Sequence, residues 1–214
     1  MNGKGKIKLE GKMKNEIETV RQDINLYFDK NNRLGIDEHY ELSESGLYYY
    51  TSERYRQTDP KRNWIVCKIE IWDIEKSVKI FEYLTNSDDM DYCSCWVHKN
   101  GKEYLMLPEA FQGQSVFDVS SKQLFSFYSR EDPFIWQSIH PSPNGNKVAV
   151  DGCYWACPNE LRVYNTENIT ELPYKMIFQD TDFTNERGCV FEYWEDNETI
   201  VVCENKKEIR KIKI

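Results

Sequence analysis

A four-residue turn recurs along the chain, and an alternating apolar segment follows each copy. The turns are residues 9–12, 44–47, 99–102, 143–146 and 195–198. Four of the following segments carry an aromatic residue, and Phe28, Trp72, Phe117 and Tyr164 are separated by 44, 45 and 47 residues. This regular spacing predicts a fold in which a unit of several short strands is repeated along the chain.

The length of the repeat favours a β-propeller. The 214 residues give about 43 for each of the five turns, which is close to the roughly 40 to 45 residues of a four-stranded blade. Aromatic residues make up 14% of the chain, and they fit the half-buried surface of a sheet. No stretch has a convincing helical period, since residues 16–23 match a strand equally well. We therefore predict an all-β fold, in which a single domain of residues 1–214 forms a small five-bladed β-propeller.

The turns and the alternation of apolar residues also predict strand boundaries. For blades two to five the predicted strands are residues 39–42, 47–51, 66–73, 78–83, 92–97, 103–107, 115–119, 123–128, 136–141, 147–152, 160–165, 174–178, 190–194, 199–204 and 208–214. The shorter first blade has strands predicted at residues 6–9, 16–20, 24–29 and 33–36. The last blade lacks a fourth strand, and the alternative count is four blades plus N-terminal strands.

The fourth repeat resembles the WD40 repeat family. Residues 142–152 read Ser-Pro-Asn-Gly-Asn-Lys-Val-Ala-Val-Asp-Gly and are similar to the turn and second strand of that repeat. Arg162–Asn165 occupy the place of its Trp-Asp ending, and the second repeat has a literal Trp72-Asp73. The resemblance implies a ring closed by the two chain ends, with Lys6–Leu9 pairing beside Glu208–Ile214. The Gly-His dipeptide of the family is absent, so its buried histidine network is not carried over.

Charge and cysteine content argue against several classes of protein. The net charge of −8 is unfavourable for nucleic-acid binding, which requires Lys and Arg against the phosphates. No apolar stretch reaches the length of a signal-peptide core or a membrane span. The cysteines number seven, which favours reduced thiols in a cytoplasmic protein that binds neither nucleic acid nor membrane. Because Cys93 with Cys95 and Cys153 with Cys157 do not form a convincing set of four zinc ligands, we expect no metal and no cofactor.

Three loops between the second and third strands of the predicted blades, residues 53–64, 108–113 and 152–158, carry large aromatic residues, and the first of them also carries four basic residues. In a propeller these loops gather at one face, where they can carry function on a rigid scaffold. Large aromatic and Arg side chains dominate protein-binding hot spots. We predict a non-catalytic scaffold for a protein or peptide partner, with the arginines selecting an acidic partner. The predicted partner-binding residues are Arg54, Tyr55, Arg56, Arg62, Phe111, Tyr154 and Trp155.

Two other functions stay open at the level of the sequence. Some five-bladed propellers are glycosidases, and a pair of carboxylates with different pKa values can serve as acid and base. Such a carbohydrate-active or small-molecule enzyme needs carboxylates around the central axis, for which the candidates are Asp91, Glu131, Asp132, Asp151 and Asp182. Because no nucleophile elbow or metal-binding helix motif is present, we predict no catalytic residue. A homo-oligomeric structural protein is the third alternative, and the oligomeric state is open.

Overall fold

The computed structural model describes eight segments of the chain. They are residues 13–34, 38–42, 46–57, 65–87, 92–155, 159–180, 189–204 and 208–214. These segments contain one helix, α1 (Ile17–Tyr27), followed by four antiparallel sheets in sequence order. Within each sheet, strands that are consecutive in sequence are neighbours in space, as expected where short connections join antiparallel strands.

Three sheets have four strands, and the last sheet has three among the described residues. Sheet 1 consists of β1 (Glu38–Leu42), β2 (Tyr48–Arg56), β3 (Ile65–Asp73) and β4 (Val78–Thr85). Sheet 2 consists of β5 (Ser94–Val97), β6 (Glu103–Met106), β7 (Gln114–Asp118) and β8 (Gln123–Phe127). Sheet 3 consists of β9 (Ile135–Pro141), β10 (Lys147–Cys153), β11 (Asn159–Asn165) and β12 (Lys175–Gln179). Sheet 4 consists of β13 (Cys189–Trp194), β14 (Thr199–Glu204) and β15 (Glu208–Lys213). The strands predicted for blades two to five are confirmed, and β2 is longer than predicted.

Successive sheets pack face to face, and each junction forms its own apolar core. The three cores are centred on Ile71 with Phe117, on Met106 with Trp136, and on Val163 with Val202. All six of these side chains are at most 3% exposed. Burial of apolar surface between the sheets is therefore the main favourable contribution to this arrangement. A series of small twisted sheets packed in sequence order is the arrangement of propeller blades.

The middle of the other face of sheet 1 differs from these junctions because it carries charged side chains. Lys68 Nζ lies 2.6 Å from Glu53 and 3.3 Å from Glu70. Lys79 Nζ lies 3.2 Å from Glu70 and 2.5 Å from Glu82. These charges alternate in sign across three strands, and burying them beneath another apolar sheet would carry a large desolvation cost. The described residues form an open series of four sheets rather than a closed ring.

Helix α1 takes the place of two strands predicted for the first blade. The predicted strands at residues 16–20 and 24–29 are wrong, as is the prediction that the chain lacks helical periodicity. Ile17, Val20 and Ile24 recur at helical spacing and are buried on one face of α1. They pack against Val66 of sheet 1 and Ala110 of sheet 2. Each buried side chain contributes about 2 kcal/mol to this contact.

Three of the predicted turns have the backbone conformation that their glycines allow. Gly46, Gly101 and Gly145 have φ angles of +61°, +78° and +71°, in the left-handed region that other residues rarely adopt. Gly145 is also restricted by packing, since a Cβ atom there would lie 2.7 Å from the Trp96 ring. The turn of sheet 3 can therefore approach sheet 2 closely only with glycine at this position.

The predicted closure of the ring involves residues outside the described segments. Lys6–Leu9, the strand expected to pair with the last sheet, is among residues 1–12. The first described residues contact sheet 2 instead: Asn15 Nδ2 donates to the Ser126 carbonyl at 3.0 Å, and Glu16 N donates to the Tyr128 carbonyl at 2.8 Å. Sheet 4 has three strands among the described residues, as predicted for the last blade.

Candidate functional site

Three of the predicted partner-binding residues come together where sheets 2 and 3 meet. Phe111 lies in the loop between β6 and β7, and Trp155 follows β10. Their ring centroids are 5.1 Å apart, at an interplanar angle of 56°. Tyr154 stands edge-on to Phe134, with centroids 5.5 Å apart. We call Phe111, Phe134, Tyr154 and Trp155 the aromatic cluster, which joins loops that belong to two different sheets.

The aromatic cluster lies at one end of the two sheets, which we call the loop face. It comprises residues 108–113, 128–134, 153–155, 159–162 and 179–180. Polar contacts fix its loops: Phe111 N donates to Asn86 Oδ1 at 2.9 Å, and Gln112 Nε2 donates to the Pro133 carbonyl at 3.3 Å. The backbone of these loops is therefore fixed by hydrogen bonds. This limits the conformational entropy that is lost when a partner binds.

Trp155 is the most exposed member of the aromatic cluster. Its side chain is 66% exposed, although the residue is large and apolar. Its backbone has a φ angle of +47°, and a bulky residue in this left-handed region costs about 1 to 2 kcal/mol. Such strain persists where the surrounding structure imposes it, and it is concentrated at functional sites. The chain thus holds a large apolar ring in water at an energetic cost.

A buried arginine supports the cluster from below, and sequence analysis did not identify it. Arg162 Nε donates to Glu160 Oε1, and Nη2 donates to the Tyr154 hydroxyl. The guanidinium carbon lies 3.8 Å from the centroid of the Phe134 ring. Nη1 lies 3.3 Å from the Tyr164 hydroxyl. These contacts fix the Tyr154 ring, and burial raises the pKa of its hydroxyl, which therefore stays protonated at neutral pH.

The Arg162 network was partly visible in the sequence. Glu160, Arg162 and Tyr164 alternate along β11, and residues two apart in a strand share one face. Three polar side chains on a buried face must bond to one another or to a neighbouring loop. The contribution of Asp132, whose Oδ1 lies 3.6 Å from Arg162 Nη1, comes from the connection between sheets 2 and 3 and could not be predicted from spacing.

Helix α1 borders the loop face. Arg21 Nε and Nη2 donate to the two carboxylate oxygens of Glu109 at 2.6 and 2.8 Å. The side chain of Glu109 is only 5% exposed, and paired geometry of this kind is the strong form of an Arg–carboxylate contact. The Arg130 amide donates to Glu16 Oε2 at 3.2 Å. These bonds hold α1 beside the loop that carries Phe111.

The predicted basic loop of sheet 1 is mostly strand in its described part. Arg54, Tyr55 and Arg56 pair with Cys67, Val66 and Ile65 at the end of β2, so their assignment to a loop is wrong. Tyr55 is 6% exposed and contacts the Phe28 ring at 4.8 Å. Its ring is therefore part of the core and unavailable as a surface anchor. Arg56 is exposed, and Arg62 lies outside the described residues.

The carboxylates considered for an enzyme lie in separate environments. Asp132 contacts Arg162, and Asp151 Oδ2 lies 3.0 Å from His140 Nε2 between β9 and β10. Glu131 is exposed in the connection between sheets 2 and 3, whereas Asp91 and Asp182 lie outside the described residues. In the described part of the chain, no group of three or more His, Cys, Asp and Glu side chains has the arrangement of a metal site. The described thiols of Cys67, Cys93, Cys95, Cys153 and Cys203 form no disulfide.

Helix α1 has 11 residues, and within the described segments no helix is long and apolar enough to cross a membrane. No family model and no curated protein sequence matches this chain.

Several solved structures are similar in part. Sqt1 from Chaetomium thermophilum is 13% identical over 79% of this chain and 40% of its own, with a TM-score of 0.49. The β-propeller domain of Cps50 (Swd1) from Myceliophteria thermophila is 10% identical over 80% of this chain and 68% of its own, with a TM-score of 0.44. The β-propeller domain of the Trilobed protease from Pyrococcus furiosus is 10% identical over 83% of this chain and 58% of its own, with a TM-score of 0.46. The chain thus spans less than half the length of Sqt1. All three TM-scores are below 0.5, and the propeller-like arrangement rests on the four sheets themselves.

Proposed function

We propose that this chain is a non-catalytic interaction domain whose loop face binds a protein or peptide partner. Phe111, Tyr154 and Trp155 are the proposed anchors. The observation that carries the proposal is Trp155, an indole that is 66% exposed and packs on Phe111 of the neighbouring sheet. Aromatic side chains with few rotatable bonds supply much contact area at low entropic cost, which is why they dominate binding hot spots.

The arrangement of the anchors supports this proposal further. A single exposed aromatic residue is ordinary on a protein surface. Here the exposed ring lies next to a half-buried Phe111, and Tyr154 is fixed by Arg162. The surface that the partner contacts is therefore preformed, and ordering it on binding costs little free energy. In the sequence-based form of the proposal, Arg54, Arg56 and Arg62 add basic contacts that select an acidic partner.

Quantitative affinity capture from the native host tests the proposal. The tagged chain is compared with Trp155→Ala, and Tyr193→Ala is the matched control because Tyr193 is a 53% exposed aromatic residue on sheet 4. We expect at least one captured protein to fall about tenfold or more with Trp155→Ala, since a hot-spot residue is worth roughly 2 kcal/mol or more and tenfold corresponds to about 1.4 kcal/mol. The same protein should be retained by Tyr193→Ala. Identical sets of captured proteins for all three baits would contradict the proposal.

We also propose, for the architecture, that Lys6–Leu9 pairs with β15 and completes the last blade. The alternation of Lys6, Ile7, Lys8 and Leu9 is that of an edge strand. If the pairing occurs, deletion of residues 1–12 removes several backbone hydrogen bonds worth about 1 kcal/mol each. Denaturant unfolding of the shortened chain should then show a lower free energy of unfolding. An unchanged value would rule out this closure.

A further inference from the structure

Three consecutive residues of the loop between β6 and β7 link helix α1 to the aromatic cluster. Glu109 accepts hydrogen bonds from Arg21 Nε and Nη2 at 2.6 and 2.8 Å. Ala110 is completely buried and belongs to the apolar core that α1 forms with the sheets. Phe111 packs on Trp155. One short stretch of backbone therefore connects the helix to the exposed ring.

Helix α1 uses one side for these contacts. The contact residues are spaced three or four positions apart, as expected for one side of a helix: Ile17, Val20, Arg21 and Ile24. The three apolar side chains are buried, and Arg21 contacts Glu109 from the same side. An isolated helix of 11 residues is marginal in water, so packing on the sheets stabilises α1. The docking of α1 and the position of Glu109 therefore depend on one another.

The contact between Arg21 and Glu109 restricts the position of the loop. The Glu109 side chain is 5% exposed, and both of its carboxylate oxygens accept from Arg21. Paired bonds of this kind fix direction as well as distance. Glu109 N also donates to Ser115 Oγ at 3.2 Å, so the backbone and the side chain of this residue are both held. Loss of Arg21 would leave a buried carboxylate without its cation, and the loop would have to move before that carboxylate could reach water.

We infer that Arg21 is a positioning residue for the proposed partner site, and that the docking of α1 keeps Phe111 packed on Trp155. This inference rests on the proposed function and adds a means of controlling it. Arg21 lies outside the aromatic cluster and acts on it through Glu109. Coupling between two sites is reciprocal. A partner bound at Trp155 therefore stabilises the docked helix, and displacement of the helix weakens binding at the loop face.

Amide hydrogen exchange measured by NMR tests this link without a partner. Arg21→Met is compared with Lys79→Met, because both cations contact two carboxylates and their side chains are 35% and 38% exposed. We expect the Phe111 amide, which donates to Asn86 Oδ1, to exchange about tenfold faster in Arg21→Met and at an unchanged rate in Lys79→Met. Tenfold corresponds to about 1.4 kcal/mol, close to the contribution of one hydrogen bond to a charged group. An unchanged Phe111 amide in Arg21→Met, or an equal increase in the amides of β10 and β11, would overturn the inference.

Affinity capture from the native host then connects the link to binding. The captured proteins that depend on Trp155 are compared for the wild type, Arg21→Met and the double variant Arg21→Met with Glu109→Gln. The double variant has no unpaired carboxylate, so its free energy of unfolding should recover, but it lacks the paired bonds that hold the loop. We expect both variants to capture these proteins about fivefold less than the wild type, the lower end of ordinary coupling between two sites.

The outcomes separate the inference from the proposed function. Full recovery of capture by the double variant would mean that Arg21 only stabilises the fold, and it would overturn the inference while upholding partner binding at Trp155. If no captured protein depends on Trp155, the proposed function fails, whereas the exchange of the Phe111 amide still shows whether the docking of α1 holds the loop.

Discussion

The two ends of the junction between sheets 2 and 3 are built differently. At the end opposite the loop face, His98 Nε2 lies 3.0 Å from the Thr166 carbonyl, and Thr166 Oγ1 donates to the Gly145 carbonyl at 2.8 Å. Lys99 pairs with Glu167 across the same junction. At the loop face, by contrast, Trp155 is exposed with a strained backbone. The end with these polar contacts, which we call the joining end, thus connects the sheets through hydrogen bonds and an ion pair. The loop face connects them through Phe111 and Trp155 and leaves the Trp155 ring exposed.

The cavity at the joining end supports this distinction. It has a volume of about 440 Å³ and is lined by His98, Lys99, Asn100, Tyr104 and residues 167–171. Several of its polar groups bond to one another: Asn100 Nδ2 donates to the Tyr104 hydroxyl at 3.0 Å, and Asn168 Nδ2 donates to Glu171 Oε2 at 3.0 Å. Because these polar groups already bond to one another, the cavity by itself gives weak support for a binding site. The proposed site is therefore based on exposed apolar surface and backbone strain rather than on the cavity.

The largest effect on stability is expected from the network below the loop face. Arg162→Met leaves Glu160 buried without its cation. We expect the free energy of unfolding to fall by about 3 to 5 kcal/mol, as when one partner of a buried ion pair is removed. Urea unfolding followed by circular dichroism measures the change. The double variant Arg162→Met with Glu160→Gln should recover most of the loss, whereas a single variant as stable as wild type would show that the network is not structural.

The packing at the joining end can be tested by a substitution in the turn that contains Gly145. Gly145→Ala introduces a side chain at a φ angle of +71° and at 2.7 Å from the Trp96 ring. Gly101→Ala is the control, since its φ angle is +78° but no atom lies within 4 Å of the added Cβ. We expect a loss of about 3 kcal/mol for Gly145→Ala and about 1 to 2 kcal/mol for Gly101→Ala. Equal losses in urea unfolding would mean that packing on Trp96 contributes nothing.

Helix α1 provides a third comparison, between its two faces. Ile24 is 3% exposed and Leu26 is 69% exposed. Ile24→Ala should lower the free energy of unfolding by about 2 to 3 kcal/mol, and Leu26→Ala should change it by less than about 0.5 kcal/mol. Thermal unfolding of both variants provides the measurement. Similar midpoints for the two variants would contradict the packing of α1 against sheets 1 and 2.

A small effect on stability is expected at the loop face itself. Trp155→Ala removes an exposed ring and leaves the backbone in the same left-handed region. We therefore expect the free energy of unfolding to change by less than about 1 kcal/mol, the value of one aromatic contact. Urea unfolding measures this change in free energy. A loss of several kcal/mol would mean that Trp155 stabilises the fold rather than serving as a binding residue.

The parts of the fold that were predictable are those encoded locally. Sheets 1 to 4 follow from alternation and from turns such as that at Gly145, because both signals lie within a few residues. Helix α1 was missed because Ile17 and Val20 are β-branched and read as strand. The apolar stripe of α1 can be recognised as a packing surface only from its contacts with Val66 of sheet 1 and Ala110 of the loop between β6 and β7.

The candidate site shows the same limit. Phe111 and Trp155 were each predicted from the composition of their loops, but their contact required the packing of two sheets. The Arg162 network joins residues from a strand and two loops. The alternation of polar residues in β11 was visible in the sequence, but the loop residues that contact Arg162 could not be predicted from it. Tyr55 was assigned to the surface because the end of β2 could not be placed from sequence.

Site-specific photo-crosslinking tests the central claim most directly. A photoreactive phenylalanine analogue is placed at position 155 of the full chain in the native host, and at position 193 of sheet 4 as the control. Both native side chains are more than half exposed, at 66% and 53%. The account predicts a discrete crosslinked protein at position 155 that is absent at position 193. Crosslinking at position 193 alone, or at neither position, would contradict the assignment of partner binding to the loop face.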